Sequence, residues 1–368
     1  MLPGQTFPAQ YQQLLQEKCA VLQNRFSALS NNEATIFASP PEAYRLRAEF
    51  RIWHDQEGAH YAMMAPGKKE KTPIIIKQFS PGSTLIQTLM PALLEKLNAN
   101  PVLKQQLFQL EFLSATTNEI LITLIYHRQL DDNWVESAAR LKQELSSLTT
   151  KIDIVGRSRG QKICVDRDFI EEQFTVNNTV YHYQQFEGSF TQPNGYINDK
   201  MLAWATSVTR NSIGDLLELY CGNGNFTLPL SRNFKNVLAT EVSKTAINAA
   251  THNIGSNGIN NIAIARLSSE EAVQALDHVR PFRRLAHIDL DKYQFSTIFV
   301  DPPRAGLDKH TLEFTKRFDN ICYISCSPDS LLANLQALTQ THHIAQLAFF
   351  DQFPYTDHME CGVFLQKR

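Results

Sequence analysis

The sequence is poor in the residues that staple or metal-build a fold. Its six cysteines, Cys19, Cys164, Cys221, Cys322, Cys326 and Cys361, are scattered over 368 residues with no C-x-x-C pair, which argues against both a disulfide framework and zinc. No apolar run reaches the ~20 residues of a membrane span. Residues 1–24 are polar and amphipathic, not a basic segment followed by an apolar core. Together these absences predict a cytoplasmic protein with no membrane partner. An excess of charge is also missing: 35 Lys and Arg against 37 Asp and Glu leave a net charge of -2. Any binding to a polyanion must therefore come from a local patch of basic residues.

What is present is a soluble, globular composition, 43% hydrophobic, long enough for two domains. Apolar residues at spacings of three and four (Tyr11, Leu14, Leu15, Cys19, Leu22, Phe26) predict a helix over 8–26, a brace for a later domain. From Tyr44 to Val180 short alternating strands prevail, among them 45–53, 74–79, 110–114 and 119–126, with helices near 84–99 and 134–148. That pattern reads as an α+β domain. After a helix at 197–209, strands and helices alternate. Seven strands (215–220, 236–242, 262–266, 297–301, 320–325, 344–351, 361–366) predict an α/β, Rossmann-like sheet of the class I methyltransferase type, ending in a hairpin. The expected domains are a helical brace at 1–40, an α+β domain at 41–180 and a catalytic domain at 181–368.

In an open parallel sheet, ligands bind beyond the carboxyl ends of the strands. Cys221-Gly222-Asn223-Gly224-Asn225-Phe226 follows the first strand of that sheet, where glycines let backbone approach a ligand. The third glycine of a dinucleotide fingerprint is replaced by Thr227 and Leu228, which disfavours a pyrophosphate. Glu241 ends the next strand, placed to accept both hydroxyls of a ribose. S-adenosylmethionine fits these features better than NADP. Asp301-Pro302-Pro303-Arg304 puts a carboxylate at another strand end, followed by two residues without N–H groups. Amine-methylating enzymes carry an aromatic where Arg304 stands, which counts against an amine target. Cys326 lies at a turn after the strand 320–325 and reads as a nucleophile if its pKa is lowered from about 8.5. Cys322, mid-strand, and Cys221 and Cys361 read as packing. Glu360 precedes the last strand, at the loop end of the hairpin.

Five motifs taken in order, Ser189-Phe190-Thr191-Gln192-Pro193-Asn194, Glu218-Leu219-Tyr220-Cys221-Gly222-Asn223-Gly224, Asp301-Pro302-Pro303-Arg304, Ser325-Cys326 and His358-Met359-Glu360, resemble the RNA 5-methyluridine methyltransferases. Over essentially the whole length the likeness is to the bacterial tRNA-modifying members, including residues 44–53 and Tyr126-His127-Arg128. The resemblance implies a tRNA (uracil-5-)-methyltransferase, acting on the uridine at position 54 of the T loop and on a T-loop-like site in tmRNA. It implies that Gln192, Tyr220, Asn225, Glu241 and Asp301 contact S-adenosylmethionine, that Cys326 is the nucleophile and that Glu360 is the base. The family's usual Ser-Cys-Asn-Pro reads Ser325-Cys326-Ser327-Pro328 here. Ribosomal-RNA relatives often carry an iron-sulfur cluster on four cysteines before the catalytic domain. Only Cys19 and Cys164 precede Gln192, so neither a metal nor a cluster is expected.

The α+β domain is then the expected RNA-binding domain. Arg45, Arg47 and Arg51 alternate along one strand, with Phe50 and Trp53 nearby and Tyr126-His127-Arg128 adjoining, a combination of cations and rings suited to a single-stranded loop. Lys68, Lys69 and Lys71, and Arg157, Arg159 and Lys162, form basic loops able to reach phosphates. The partners expected are the tRNA T arm and tmRNA, and the chain is taken as a monomer. Two alternatives stand beside this reading: the same chemistry on ribosomal RNA, and a non-catalytic RNA-folding module.

Overall fold

The computed structural model describes residues 4–64 and 73–368. The chain divides into two compact units, one of Met1–Pro8, Pro40–Gln173 and Gln184–Gly195, the other of Ala9–Ser39, Phe174–Tyr183 and Tyr196–Arg368.

The first unit is built on a seven-stranded sheet in the order Pro73–Ile75, Ala59–Met64, Arg47–His54, Leu107–Ser114, Glu119–Tyr126, Lys151–Ser158, Gln161–Cys164. All neighbours are antiparallel except Glu119–Tyr126 with Lys151–Ser158, which are joined through the crossover helix Asp132–Leu145. That helix and Thr84–Ala99 bury Leu85, Ile86, Leu89, Leu93, Leu97, Trp134, Ala138 and Leu141 together with sheet residues such as Phe50, Phe112 and Ile122. Caps set the helix starts: the Ser83 side chain accepts from Ile86 N, and that of Asp131 from Trp134 N.

The second unit holds an eight-stranded sheet in the order Thr35–Phe37, His342–Phe350, Glu360–Lys367, Asn320–Ser325, Phe295–Val300, Asp215–Leu219, Val237–Glu241, Ile262–Arg266. Only Glu360–Lys367 runs antiparallel to its neighbours. The seven expected strands are joined by Thr35–Phe37, three residues pairing with Ala348–Phe350. The expected brace at 1–40 is for this reason mostly part of the second unit. Its helix, Pro8–Phe26, buries Tyr11, Leu15, Cys19, Leu22 and Phe26 in the same core as Leu217, Val300, Tyr323 and Phe349. Residues 174–183 also differ from the expected division, because Phe174, Val176, Tyr181 and Tyr183 pack in the core on Leu216, Phe226 and Phe299. The strand order reverses at Asp215–Leu219, the switch point at which an open parallel sheet opens a crevice. Five buried residues in a row mark that strand as central.

Candidate active site

The first strand end carries a strained backbone. Tyr220 has φ +62° and is followed by Gly222 at +57° and Gly224 at +86°; a left-handed conformation is uncommon for a tyrosine, and such strain gathers at functional sites. A Cβ at Gly222 would meet nothing within 4 Å, so the loop borders open space on that side. The rest of the loop is tied down. Asn253 Nδ2 donates to Asn223 O at 2.9 Å, Tyr183 Oη donates to Asn225 O at 3.0 Å, and the side-chain amides of Asn225 and Asn198 bond reciprocally at 2.9 Å. Asn198 carried no signal in the sequence, since a polar residue on a predicted helix reads as surface. Half of the Asn225 amide's bonding capacity remains for a ligand. The helix opened by the loop, Thr227–Leu230, is a single turn, so backbone N–H groups of the loop itself, and not a helix dipole, would meet a ligand.

Glu241 ends its strand as expected, but its oxygens are already engaged. Oε2 accepts from Gly222 N at 3.1 Å and Oε1 from Val242 N and Ser243 N, each at 2.8 Å. A carboxylate accepts about four hydrogen bonds. One position is left for a ribose hydroxyl, where the sequence suggested room for two, unless Gly222 N–H is released.

The last strands bring the reactive groups together. Ser325 pairs with Cys361 in the antiparallel ladder, so Cys326 and Glu360, the next residue of each segment, lie at the same end of it, where the Glu360 carboxylate acts on the Cys326 thiol. Val300 pairs with Tyr323, which brings Asp301 to the same end. Cys326 is held in its turn by Ser325 Oγ, which donates to Ser327 O at 3.1 Å and accepts from Ser327 N at 3.2 Å. Ser327 caps the helix Pro328–Leu338, its side chain accepting from Ser330 N. Ser and Asn are comparable N-caps, so the departure from the usual Asn preserves this role.

These neighbours repel one another's charge. Burial, then the Glu360 and Asp301 carboxylates, push the Cys326 thiol up to about 11, with Arg304 pulling the other way. The lowered pKa expected of a nucleophile is absent, because the thiol is half-buried and two acids add to the effect of burial. Burial and then Asp301 raise Glu360 to about 8, and burial raises Asp301 to about 7. A carboxyl near 8 suits a general base working at neutral pH. Cys221, Cys322 and Cys361 are buried, while Cys326 is partly accessible. Among the described residues no group of three or more His, Cys, Asp or Glu is arranged to hold a metal, and no helix is long and apolar enough to cross a membrane.

Gln192, the remaining expected cofactor residue, belongs to the first unit. On that unit's sheet Arg47, Glu49, Arg51 and Trp53 share a face, while Phe50 is 1% exposed and points into the core. Phe50 is thereby corrected from stacking ring to packing residue. Phe108, missed in the sequence, lies against this face: the Arg51 guanidinium is 3.9 Å from its ring centroid and the His127 ring 4.1 Å. Tyr126 is buried and Arg128 donates to the carbonyls of Val102, Gln105 and Gln129, so only His127 of the trio meets Phe108. Several expected phosphate contacts are engaged otherwise. Arg47 pairs with Glu49 and Glu111, Arg157 and Lys162 pair with Glu187, and Lys162 also with Asp168. Arg159 is exposed, and Lys68, Lys69 and Lys71 lie outside the described residues.

The chain is similar to known proteins over nearly all of its length. Residues 10–368 match the family model for tRNA (Uracil-5-)-methyltransferase. A tRNA/tmRNA (uracil-C(5))-methyltransferase of Teredinibacter turnerae is 52% identical over 370 residues, covering 100% of both chains. Its counterpart in Saccharophagus degradans is 53% identical over 365 residues, 99% of each. A solved tRNA (uracil-54, C5)-methyltransferase of Pyrococcus abyssi, in complex with S-adenosyl-L-homocysteine, superposes with a TM-score of 0.71 over 96% of this chain and 83% of that one, at 20% identity, a likeness of fold. With a glycine loop at the switch point, a cysteine facing a buried glutamate, and half the residues shared with such relatives end to end, the chain belongs to the tRNA (uracil-5-)-methyltransferase family.

Proposed function

We propose that the protein transfers the methyl group of S-adenosylmethionine to C5 of the uridine at position 54 in the tRNA T loop, and to a T-loop-like site in tmRNA. The observation that supports this reading is the meeting of the Cys326 thiol with the Glu360 and Asp301 carboxylates at one end of the sheet, next to the Ser325–Cys361 pair. The relatives named for tRNA and tmRNA support the substrates.

Bound S-adenosylmethionine supplies an electrophilic methyl on a sulfonium. Tyr220, Gly222, Asn225, Glu241 and Asp301 would line the space where it lies. Uracil C5 is a weak nucleophile. The Cys326 sulfur, once deprotonated, adds to C6 and pushes the electron pair of the C5–C6 double bond toward C5 and O4, so that C5 becomes enolate-like. C5 forms its bond to the methyl as the methyl–sulfur bond breaks, its electron pair staying on the departing neutral thioether, and C5 then carries both methyl and hydrogen. Glu360 removes that hydrogen as a proton, the C5–C6 double bond re-forms, and the C6–S bond breaks to return the thiolate. A T-loop base is stacked and paired, so it must be extruded at a cost of a few kcal/mol. The Arg51, Phe108 and His127 stack, with exposed Trp53, suits RNA held open by cations and rings.

The test is methylation of an unmodified tRNA T arm beside ribosomal RNA fragments, with the modified base located by mass spectrometry. 5-Methyluridine at position 54 is the expected product. Transfer confined to ribosomal fragments, or no transfer, would reject the reading.

A further inference from the structure

A lysine on the polar side of a surface helix ordinarily reads as a solvated charge. Lys18, on the helix Pro8–Phe26, is only 12% exposed, and its Nζ sits at the focus of four oxygens from the far end of the chain. It lies 2.5 Å from Asp351 Oδ1 and donates to the carbonyl oxygens of Thr356 and His358 at 3.0 Å each and of Phe353 at 3.4 Å. Asp351 is 1% exposed and is also bonded through Oδ2 by Tyr11 Oη at 2.8 Å, which in turn accepts from Ser39 N at 2.7 Å.

All of these acceptors come from one segment. Residues 351–359 join the strand His342–Phe350 to the strand that begins with Glu360, and Glu360 pairs with Phe350 where the strands meet. The segment holds Tyr355 in the left-handed region at φ +64°. Within it Thr356 Oγ1 donates to Phe353 O at 2.8 Å and accepts from His358 N at 3.2 Å, and the Phe353 and His358 rings lie 6.0 Å apart. Three carbonyl dipoles that converge on one point repel one another, and each is costly to leave unpaired. They converge here because a positive charge occupies the point.

We infer that Lys18 is a positioning residue for the general base: its ammonium gathers the 351–359 segment and so aims the Glu360 carboxylate at the hydrogen on C5. The inference rests on the methyltransferase reading above and on the role of Glu360 within it. Lys18 touches no reacting atom. Its removal misplaces the base while Cys326 and the glycine loop, on other strands, keep their geometry.

The experiment is Lys18→Met, which keeps the apolar stem and removes the charge, assayed beside wild type and Tyr11→Phe. Tyr11→Phe removes a bond to the same carboxylate but leaves the three carbonyls with their cation. A misplacement of about an ångström costs up to about 100-fold in rate, so kcat in Lys18→Met is expected to fall about 10- to 100-fold. Because the slowed step follows transfer, kcat/KM for RNA and for S-adenosylmethionine stays within about twofold, KM falling together with kcat, and a denaturant-resistant protein–RNA adduct that already bears the methyl accumulates. Tyr11→Phe lowers the melting temperature without building the adduct. Should Lys18→Met not fold, Lys18→Gln carries the same test, because its amide is polar, donates to at most two of the carbonyls and has no charge. Wild-type kcat in the Lys18 variants, slowed methyl transfer without adduct, or equal adduct in Tyr11→Phe would overturn the inference. Wild-type enzyme that releases no tritium from C5-labelled uridine would instead overturn the underlying functional reading.

Discussion

The resting nucleophile should be slow. The Cys326 thiol stands at about 11, raised by burial and by the carboxylates of Glu360 and Asp301. At pH 8 about one molecule in a thousand then holds a thiolate, against about one in four for an ordinary cysteine near 8.5. That is about 250-fold fewer thiolates. Nucleophilicity rises with basicity with a slope of about 0.4–0.5, which over this interval returns about tenfold. Alkylation of Cys326 by iodoacetamide at pH 8 should accordingly run about 25-fold slower than that of an unstructured cysteine peptide in the same tube. The rate should climb about tenfold per pH unit toward pH 11. Glu360→Gln deletes the largest charge facing the thiol and should move the whole profile to lower pH. Peptide-resolved mass spectrometry over pH 6–11 reads both effects. A plateau below pH 9 in the wild type, or a profile that Glu360→Gln leaves in place, would refute the electrostatic account. The consequence for function is a thiol kept protonated, and so shielded from stray electrophiles, until a substrate complex changes the charge around it.

Other consequences can be checked separately. Glu360→Gln should accumulate a methylated, denaturation-resistant RNA adduct, visible as a retarded band carrying label from the methyl donor; free turnover by that variant would remove Glu360 from the mechanism. Glu218, 1% exposed on the central strand, is raised by burial from 4.5 to about 8, with Asp301 adding to the shift. Because the folded state holds its proton more tightly than the unfolded chain, stability is highest below pH 4.5 for this group and is lost as pH rises from 4.5 to 8, by up to about 5 kcal/mol at 1.36 kcal/mol per unit. The melting-temperature advantage of Glu218→Gln over wild type should grow between pH 5 and pH 8, and a constant difference would contradict the burial argument. Phe108→Ala, which removes the ring that Arg51 and His127 both contact, should raise the KM for RNA about 5- to 150-fold, as expected for about 1–3 kcal/mol of stacking, and leave that for S-adenosylmethionine unchanged.

Local patterns were legible where one element's own residues settle it. The helices Pro8–Phe26 and Thr84–Ala99 and the strand Glu119–Tyr126 stand at the boundaries that their apolar periodicity indicates, because each buries its own stripe. The parity of a strand likewise places Phe50 opposite to Arg47, Arg51 and Trp53, and its grouping with the arginines neglected that alternation. What could not be read depends on partners remote in sequence. Thr35–Phe37 has no pattern of its own and is a strand only because Ala348–Phe350 offers an edge. Lys18 meets Asp351 across 333 residues, and the Asn198 bond to Asn225 spans 27. The strand-end placement of Cys326, Asp301 and Glu360 was visible in their motifs. The burial that raises their pKa values, with carboxylate repulsion adding to it at Cys326 and Glu360, was not, since it arises from a packing that only the folded sheet defines.

The central claim is covalent catalysis at uridine C5 by Cys326. Its most direct test is S-adenosylmethionine-dependent release of tritium from C5-labelled uridine in an unmodified tRNA T arm, measured for wild type and Cys326→Ala. Release by wild type and none above background from Cys326→Ala is the predicted result. Release by Cys326→Ala near the wild-type rate would contradict the account.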